Sequence, residues 1–155
     1  MKYQKNINTK IGTISIIEEN RKIIAIQIKD KKQQEAVLKE TPLLKETEKQ
    51  LTDYLEGKIK SFNVPLNLKG TEFMKKVWTA LQDIPYGETR TYEEIAKSIG
   101  NPKAARAVGM ANHVNPIPIL IPCHRVIGKN GKLVGYALGI EKKQFLLELE
   151  KRGRD

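Results

Sequence analysis

The chain contains one cysteine, Cys123, followed directly by His124 and Arg125. A cysteine attacks as its thiolate, so a nucleophilic role needs a base or a positive field nearby to draw off the proton. His124 and Arg125 suit that chemistry. Adjacent residues in an extended chain point to opposite sides, so His124 can serve the Cys123 sulfur only through a bend or a bridging water. The run before them, Asn115-Pro116-Ile117-Pro118-Ile119-Leu120-Ile121-Pro122, is too apolar for a surface loop, and its three prolines forbid a helix. An extended, buried segment is expected, delivering Cys123 to the edge of a cavity. A lone buried cysteine is usually a small core residue, but the polar pair directly behind an apolar run favours chemistry here. A cysteine hydrolase normally draws its histidine from far away in sequence, and the other histidine is His113, only ten positions upstream. The hydrolase reading is therefore the weaker one.

The elements that would hold this triplet change character near Lys69-Gly70. Before that point, Ile11–Ile17 and Lys22–Ile28 are β-branched runs joined by Glu18-Glu19-Asn20-Arg21, which predicts a hairpin. Pro42–Glu56 carries Leu43, Leu44, Leu51, Tyr54 and Leu55 at helical spacing, and Gly57 ends it. Phe62–Leu68 contains Pro65 and reads as a short edge strand. After Gly70, Phe73, Val77, Trp78 and Leu81 share one helix face until Pro85-Tyr86-Gly87. Thr91 and Glu94 form a capping-box pattern opening the next helix. That helix closes at Gly100, and Asn101-Pro102 predicts an immediate restart running to about Asn112. Two short helices across a glycine suit a helix-turn-helix or an ordinary helical hairpin. The small residues Ala104, Ala105, Ala107 and Gly109 permit close approach of a partner backbone.

The net charge is +10, from 28 basic and 18 acidic side chains, spread evenly between the two halves. Yet residues 95–140 contain no acid, while holding Lys97, Lys103, Arg106, Arg125, Lys129 and Lys132 together with the cysteine and both histidines. A positive field concentrated around the candidate chemistry points to phosphate. No apolar run is long enough to span a bilayer, and residues 1–10 carry no hydrophobic stretch, so a cytoplasmic protein is expected. One cysteine makes neither an internal disulfide nor a sulfur-rich metal site.

Pro122-Cys123-His124-Arg125 resembles the signature of the 6-O-methylguanine-DNA methyltransferases, also called methylated-DNA–protein-cysteine methyltransferases. The likeness runs from about Thr71 to Glu150. It takes in Pro85-Tyr86-Gly87-Glu88, Thr91-Tyr92, Arg106-Ala107-Val108-Gly109, Ala111-Asn112, Asn115-Pro116, Pro122 to Ile127 and Gly135-Tyr136. The resemblance implies an α+β fold: a small ribonuclease-H-like α/β unit over residues 1–69, then a helical domain over residues 70–155 with a helix-turn-helix. It implies a partner, double-stranded DNA bearing an alkylated base, with the damaged guanine flipped into a pocket.

By the same resemblance Cys123 is the alkyl acceptor, and His124 deprotonates it through a water. Glu150 orients the histidine. Tyr136 hydrogen-bonds the guanine as leaving group, and Asn115 holds the turn before the active-site segment. Arg106 fills the hole left by the flipped base, and Tyr92 crowds the phosphate. Lys103, Ala104, Asn112 and Arg125 complete the expected DNA-contacting set. Ala137 and Leu138 depart from the family's usual small residue and glycine, which predicts poor transfer of bulky groups such as benzyl. Some members hold zinc in the first unit; no cysteine or histidine precedes His113 here, so no metal and no cofactor are expected.

The implied activity is a single, irreversible transfer of a methyl or other alkyl group from 6-O-alkylguanine, with 4-O-alkylthymine a further candidate substrate. A monomer that acts once is expected. The alternative is a module that recognises alkylated DNA without accepting the group, and Cys123 argues against it. A transcription regulator is disfavoured because the chain shows no separate sensor domain.

Overall fold

The turn Asn20-Arg21 has φ of 53° and 62°, the geometry that matches the twist of paired strands, and asparagine tolerates it well. It joins β2 (Gly12–Glu19) to β3 (Lys22–Gln27) as the expected hairpin. On the other side of β2 lies β1 (Lys2–Thr9), paired antiparallel from Lys2 opposite Glu19 to Thr9 opposite Gly12. β4 (Ala36–Leu38) runs parallel to β1, giving the order β3-β2-β1-β4. This computed structural model describes residues 1–28, 35–134, 136 and 138–153. The chain divides into two units, Met1–Leu68 and Lys69–Asp155.

β2 is the central strand of the three long ones, and Ile14 to Glu18 is buried without a break. Successive residues of a strand point to opposite faces, so both faces of β2 are covered there. α1 (Pro42–Leu55) packs against β1 and β2 with Leu44, Leu51, Tyr54 and Leu55 buried. Thr41 caps it, its hydroxyl oxygen accepting the Leu44 N–H at 3.0 Å. The expected strand Phe62–Leu68 contracts to one bridge, Leu66 beside Ile23. Ile23 donates to the Pro65 carbonyl at 2.9 Å and accepts from Asn67 at 3.0 Å. Pro65 has no N–H to extend a ladder.

In the second unit, α2 (Glu72–Gln82) buries Val77, Trp78 and Leu81. The Trp78 indole N–H donates to the Ala111 carbonyl at 2.8 Å, which ties α2 to α4 (Ala105–His113). α3 (Tyr92–Ser98) opens on the expected capping box: Glu94 N–H to Thr91 Oγ1 at 3.1 Å, Thr91 N–H to Glu94 Oε1 at 2.9 Å. Just before it, β5 (Arg90–Thr91) pairs in parallel with β6 (Val126–Ile127), fastening the segment after Cys123 to the entrance of α3. α5 (Ile140–Arg152) packs on the turn containing Cys123.

Two further expectations are corrected. α4 begins at Ala105, not Pro102: the Ala104 N–H closes a turn onto the Asn101 carbonyl at 3.0 Å, and no side chain caps the helix. Asn101 is used in that turn, its own N–H donating to the Ala96 carbonyl at 2.9 Å. The Asn115–Pro122 segment is buried but not extended. Ile121 N–H reaches back to the Ile117 carbonyl at 3.0 Å, and Ile119 has φ of 76°. A β-branched residue in the left-handed region is strained, and the contacts that hold it belong to the site.

Candidate active site

Asn115 closes the segment from within. Its Nδ2 donates to the Ile121 carbonyl at 3.0 Å, and its Oδ1 accepts from the Ile117 N–H at 3.0 Å. The chain leaves this loop into a 3₁₀ turn, Cys123–Arg125, with Arg125 N–H on the Pro122 carbonyl at 3.0 Å. The turn bends the chain at Cys123–Arg125. From α4, Asn112 Nδ2 donates to the Cys123 carbonyl at 3.3 Å.

Cys123, His124 and Glu150 are buried at 0%, 0% and 1% exposure, which places the chemistry away from bulk water. His124 Nε2 lies 2.7 Å from Glu150 Oε2. A carboxylate there accepts a hydrogen bond from Nε2–H and leaves Nδ1 as the nitrogen with a lone pair, the one able to accept a proton. Burial lowers the imidazolium's pKa, the Glu150 hydrogen bond and charge act against this, and Arg125 and Lys143 add to the lowering. Burial alone would raise the Glu150 carboxyl; hydrogen bonds from His124 and Arg125 and their charges outweigh it and hold Glu150 at about 2. Burial pushes the Cys123 thiol up to about 11, against hydrogen bonds from Asn115 and Tyr136 and the positive charge of Lys143. The resting sulfur is a thiol, and forming the thiolate needs a proton acceptor.

Tyr136 is buried with its ring edge toward His124, centroids 6.4 Å apart at 81°. Leu138 is buried as well; Gly135 and Ala137, singled out in the sequence, lie outside the described residues. A cleft of about 540 Å³ is lined by Tyr92, Arg106, Gly109, His113, Lys129 and Val134, among others. Burial raises the Tyr92 phenol, a thiolate at Cys123 would raise it further, and Asn112 opposes the shift. Arg106 is exposed on α4, while Lys103 and Ala104 sit in the turn before it.

The structure gives two of the expected DNA contacts a different placement. Asn112 is turned inward onto the Cys123 backbone. Arg125 is buried, with Nε on Glu150 Oε1 at 2.8 Å, Nη2 on Oε2 at 2.9 Å and Nη1 on the Ile84 carbonyl at 2.7 Å. Lys143 escaped sequence reasoning altogether. Its ammonium is buried on α5, donates to the Val134 carbonyl at 3.0 Å, and is lowered to about 8 by burial. Nothing in the Lys142-Lys143 pair distinguishes the buried lysine from its half-buried neighbour. Among the described residues no three His, Cys, Asp or Glu side chains cluster closely enough to hold a metal ion.

Residues 2–68 match the family described as "6-O-methylguanine DNA methyltransferase, ribonuclease-like domain", and residues 72–152 match its "DNA binding domain". The chain belongs to the 6-O-methylguanine DNA methyltransferase family. A methylated-DNA–protein-cysteine methyltransferase of Bacillus subtilis, described as constitutive, is 47% identical over 159 residues, covering 97% of this chain and 96% of the relative. One from Methanosarcina acetivorans is 65% identical over 106 residues, 68% of each chain. The crystal structure of Mycobacterium tuberculosis OGT in complex with DNA superposes with a TM-score of 0.90 at 43% identity, covering 97% of this chain and 94% of the other. The α+β architecture is thus the one that family members adopt. No helix among the described residues is long and apolar enough to cross a membrane.

Proposed function

We propose that this methyltransferase repairs DNA by moving an alkyl group from 6-O-alkylguanine onto Cys123, once per protein molecule. The observation that carries the assignment to these residues is the buried pair of His124 Nε2 and Glu150 Oε2 at 2.7 Å, directly beside the buried Cys123 in the chain. His124 takes the thiol proton through a water. The sulfur then attacks the alkyl carbon, a C–S bond forms, the C–O bond breaks, and the electron pair leaves with the guanine oxygen. Tyr136 stabilises the departing guanine by hydrogen bonding. Asn115 steadies the loop and favours the thiolate, and Glu150 keeps the His124 ring in the tautomer that accepts at Nδ1.

The helical unit, residues 70–155, is the DNA-binding and alkyl-acceptor domain, and residues 1–69 form the ribonuclease-H-like companion. Arg106 and Tyr92 face the opened duplex from the cleft, Arg106 taking the place of the extruded base and Tyr92 crowding its phosphate. Lys103 and Ala104 meet the backbone at the start of α4. The protein works as a monomer in the cytoplasm on double-stranded DNA bearing an alkylated base, with no metal or organic cofactor. Because the acceptor is consumed, incubation with excess 6-O-methylguanine duplex must restore one guanine per protein and then stop. Continued turnover would identify a hydrolytic or regenerating chemistry. Tight binding with no guanine restored would identify a recognition module.

A further inference from the structure

Every guanidinium nitrogen of Arg125, the arginine of the Pro-Cys-His-Arg motif, is engaged inside the protein. Nε and Nη2 grip the two oxygens of Glu150, and Nη1 holds the Ile84 carbonyl at the end of α2. Its guanidinium carbon lies 5.7 Å from the Tyr86 ring centroid. Tyr86 in turn packs against Gly153, where a β-carbon would meet the phenol oxygen at 2.7 Å. Three segments of one unit therefore converge on this side chain: the loop after α2, the 3₁₀ turn and the end of α5. A planar fork matching both carboxylate oxygens leaves the carboxylate no rotational freedom.

The carboxylate so held serves two donors at once. Oε2 accepts from Arg125 Nη2 and from His124 Nε2, while Oε1 accepts from Arg125 Nε. We propose that Arg125 is a positioning residue for alkyl transfer: it fixes the orientation of Glu150 and shares its charge, so that His124 stays a neutral proton acceptor. The inference rests on the proposed role of His124 as the base toward Cys123. A buried glutamate facing a histidine alone would favour the imidazolium, and an imidazolium cannot take the Cys123 proton. Arg125 removes that bias by neutralising the same carboxylate. The direction of the His124 shift agrees, since burial, Arg125 and Lys143 lower it and Glu150 alone opposes them. The charged and titratable groups around His124 are Cys123 and Arg125 on its own turn, Glu150 and Lys143 on α5, the Tyr136 phenol, and Tyr86 behind Arg125. Arg125 is the fixed positive charge among them that touches the same carboxylate oxygen as the imidazole.

The chain has two histidines, so ¹⁵N spectra of the full protein read His124 against the exposed His113 without crowding. The test compares wild type, Arg125→Gln and Arg125→Lys by His124 titration, and by the pH profile of single-turnover methyl transfer to Cys123. Arg125→Gln keeps a donor but loses the charge, and should raise the His124 midpoint by about 1 pH unit or more, with the acid limb of the rate moving alongside. Arg125→Lys keeps the charge and loses the fork. Its midpoint should stay within about half a unit of wild type, with a lower rate at every pH. If Arg125→Gln does not fold, the lysine variant decides: a midpoint near wild type together with a lower transfer rate at every pH supports the inference, and either a rise of about a full unit or a wild-type rate overturns it. Unmoved midpoints in both variants, with losses confined to thermal stability, make Arg125 merely structural. A wild-type protein that transfers no methyl group would sink the proposed function, while the titration would still report on Arg125.

Discussion

Replacing Asn115 separates what holds the active-site loop from what tunes its sulfur. Asn115→Ala removes the acceptor of the Ile117 N–H and one donor to the Ile121 carbonyl. Ile121 keeps the Cys123 N–H at 2.7 Å as a partner, so one backbone group, the buried Ile117 N–H, loses its acceptor. An unmade buried hydrogen bond costs about 1–3 kcal/mol, and a value near 2 is expected here. In a chain of this size that is a fall in Tm of roughly 4–8 °C. Asn115→Asp keeps the acceptor for Ile117 but sets a negative charge beside Cys123, which drives the thiol further up. Every unit of that rise removes roughly tenfold of the thiolate. Urea unfolding and single-turnover methyl transfer, measured on both variants, give the test. Both variants should lose stability, Asn115→Asp because its second carboxylate oxygen would be buried facing the Ile121 carbonyl that Nδ2 now serves, and Asn115→Asp should lose at least as much rate. If the alanine variant unfolds with the wild-type midpoint, Asn115 does not hold the loop. If the aspartate variant transfers at the wild-type rate, the charge at this position does not act on the sulfur.

The histidine and the glutamate predict how stability depends on pH. The fold keeps His124 neutral below its ordinary 6.5 and Glu150 ionised down to about 2 against 4.5, so on acidification the unfolded chain binds more protons than the native one. Urea midpoints should decline as pH drops below 6.5 and decline again between 4.5 and 2; a midpoint that rises on acidification would contradict both. Gly70→Ala would place a β-carbon 2.7 Å from Trp78 Cη2, a ring that is 1% exposed and pinned through its indole N–H. A loss of about 1–3 kcal/mol with an altered near-ultraviolet signal is expected, and unchanged unfolding would show that the indole yields freely. Arg106→Ala should slow transfer from duplex DNA roughly tenfold or more, while leaving transfer from the free base and the unfolding midpoint near wild type. Equal losses on both substrates would remove Arg106 from the DNA face.

Much of this was legible because local chemistry and fold agree. The Thr91–Glu94 capping box, the helix Pro42–Leu55 and the Asn20-Arg21 hairpin follow from side chains that act within a few residues of themselves. β1 was hidden because its fully buried residues are Gln4 and Ile7. Gln4 and Ser15 both donate to Asn6 Oδ1, at 2.9 and 2.7 Å, so a polar network replaces the apolar alternation that would mark a strand. The early start read for α4 came from granting Asn101-Pro102 its usual capping role, where tertiary structure used it for a turn. At the site, the residue types of Cys123 and His124 pointed to chemistry, while Glu150 was reached through the family resemblance. The inward turn of Arg125 and the burial of Lys143 depend on α5 and the loop after α2 meeting the 3₁₀ turn, contacts spanning 9 to 41 residues in sequence. No local pattern encodes them.

The central claim is that one alkyl group ends on one sulfur. Intact mass followed by peptide mapping, after incubation with a duplex carrying a single 6-O-methylguanine, tests it directly. The account predicts a gain of one methyl group located on Cys123, absent from Cys123→Ala under the same conditions. A methyl group on any other residue, or a wild-type protein that binds the duplex and leaves with unchanged mass, would contradict it.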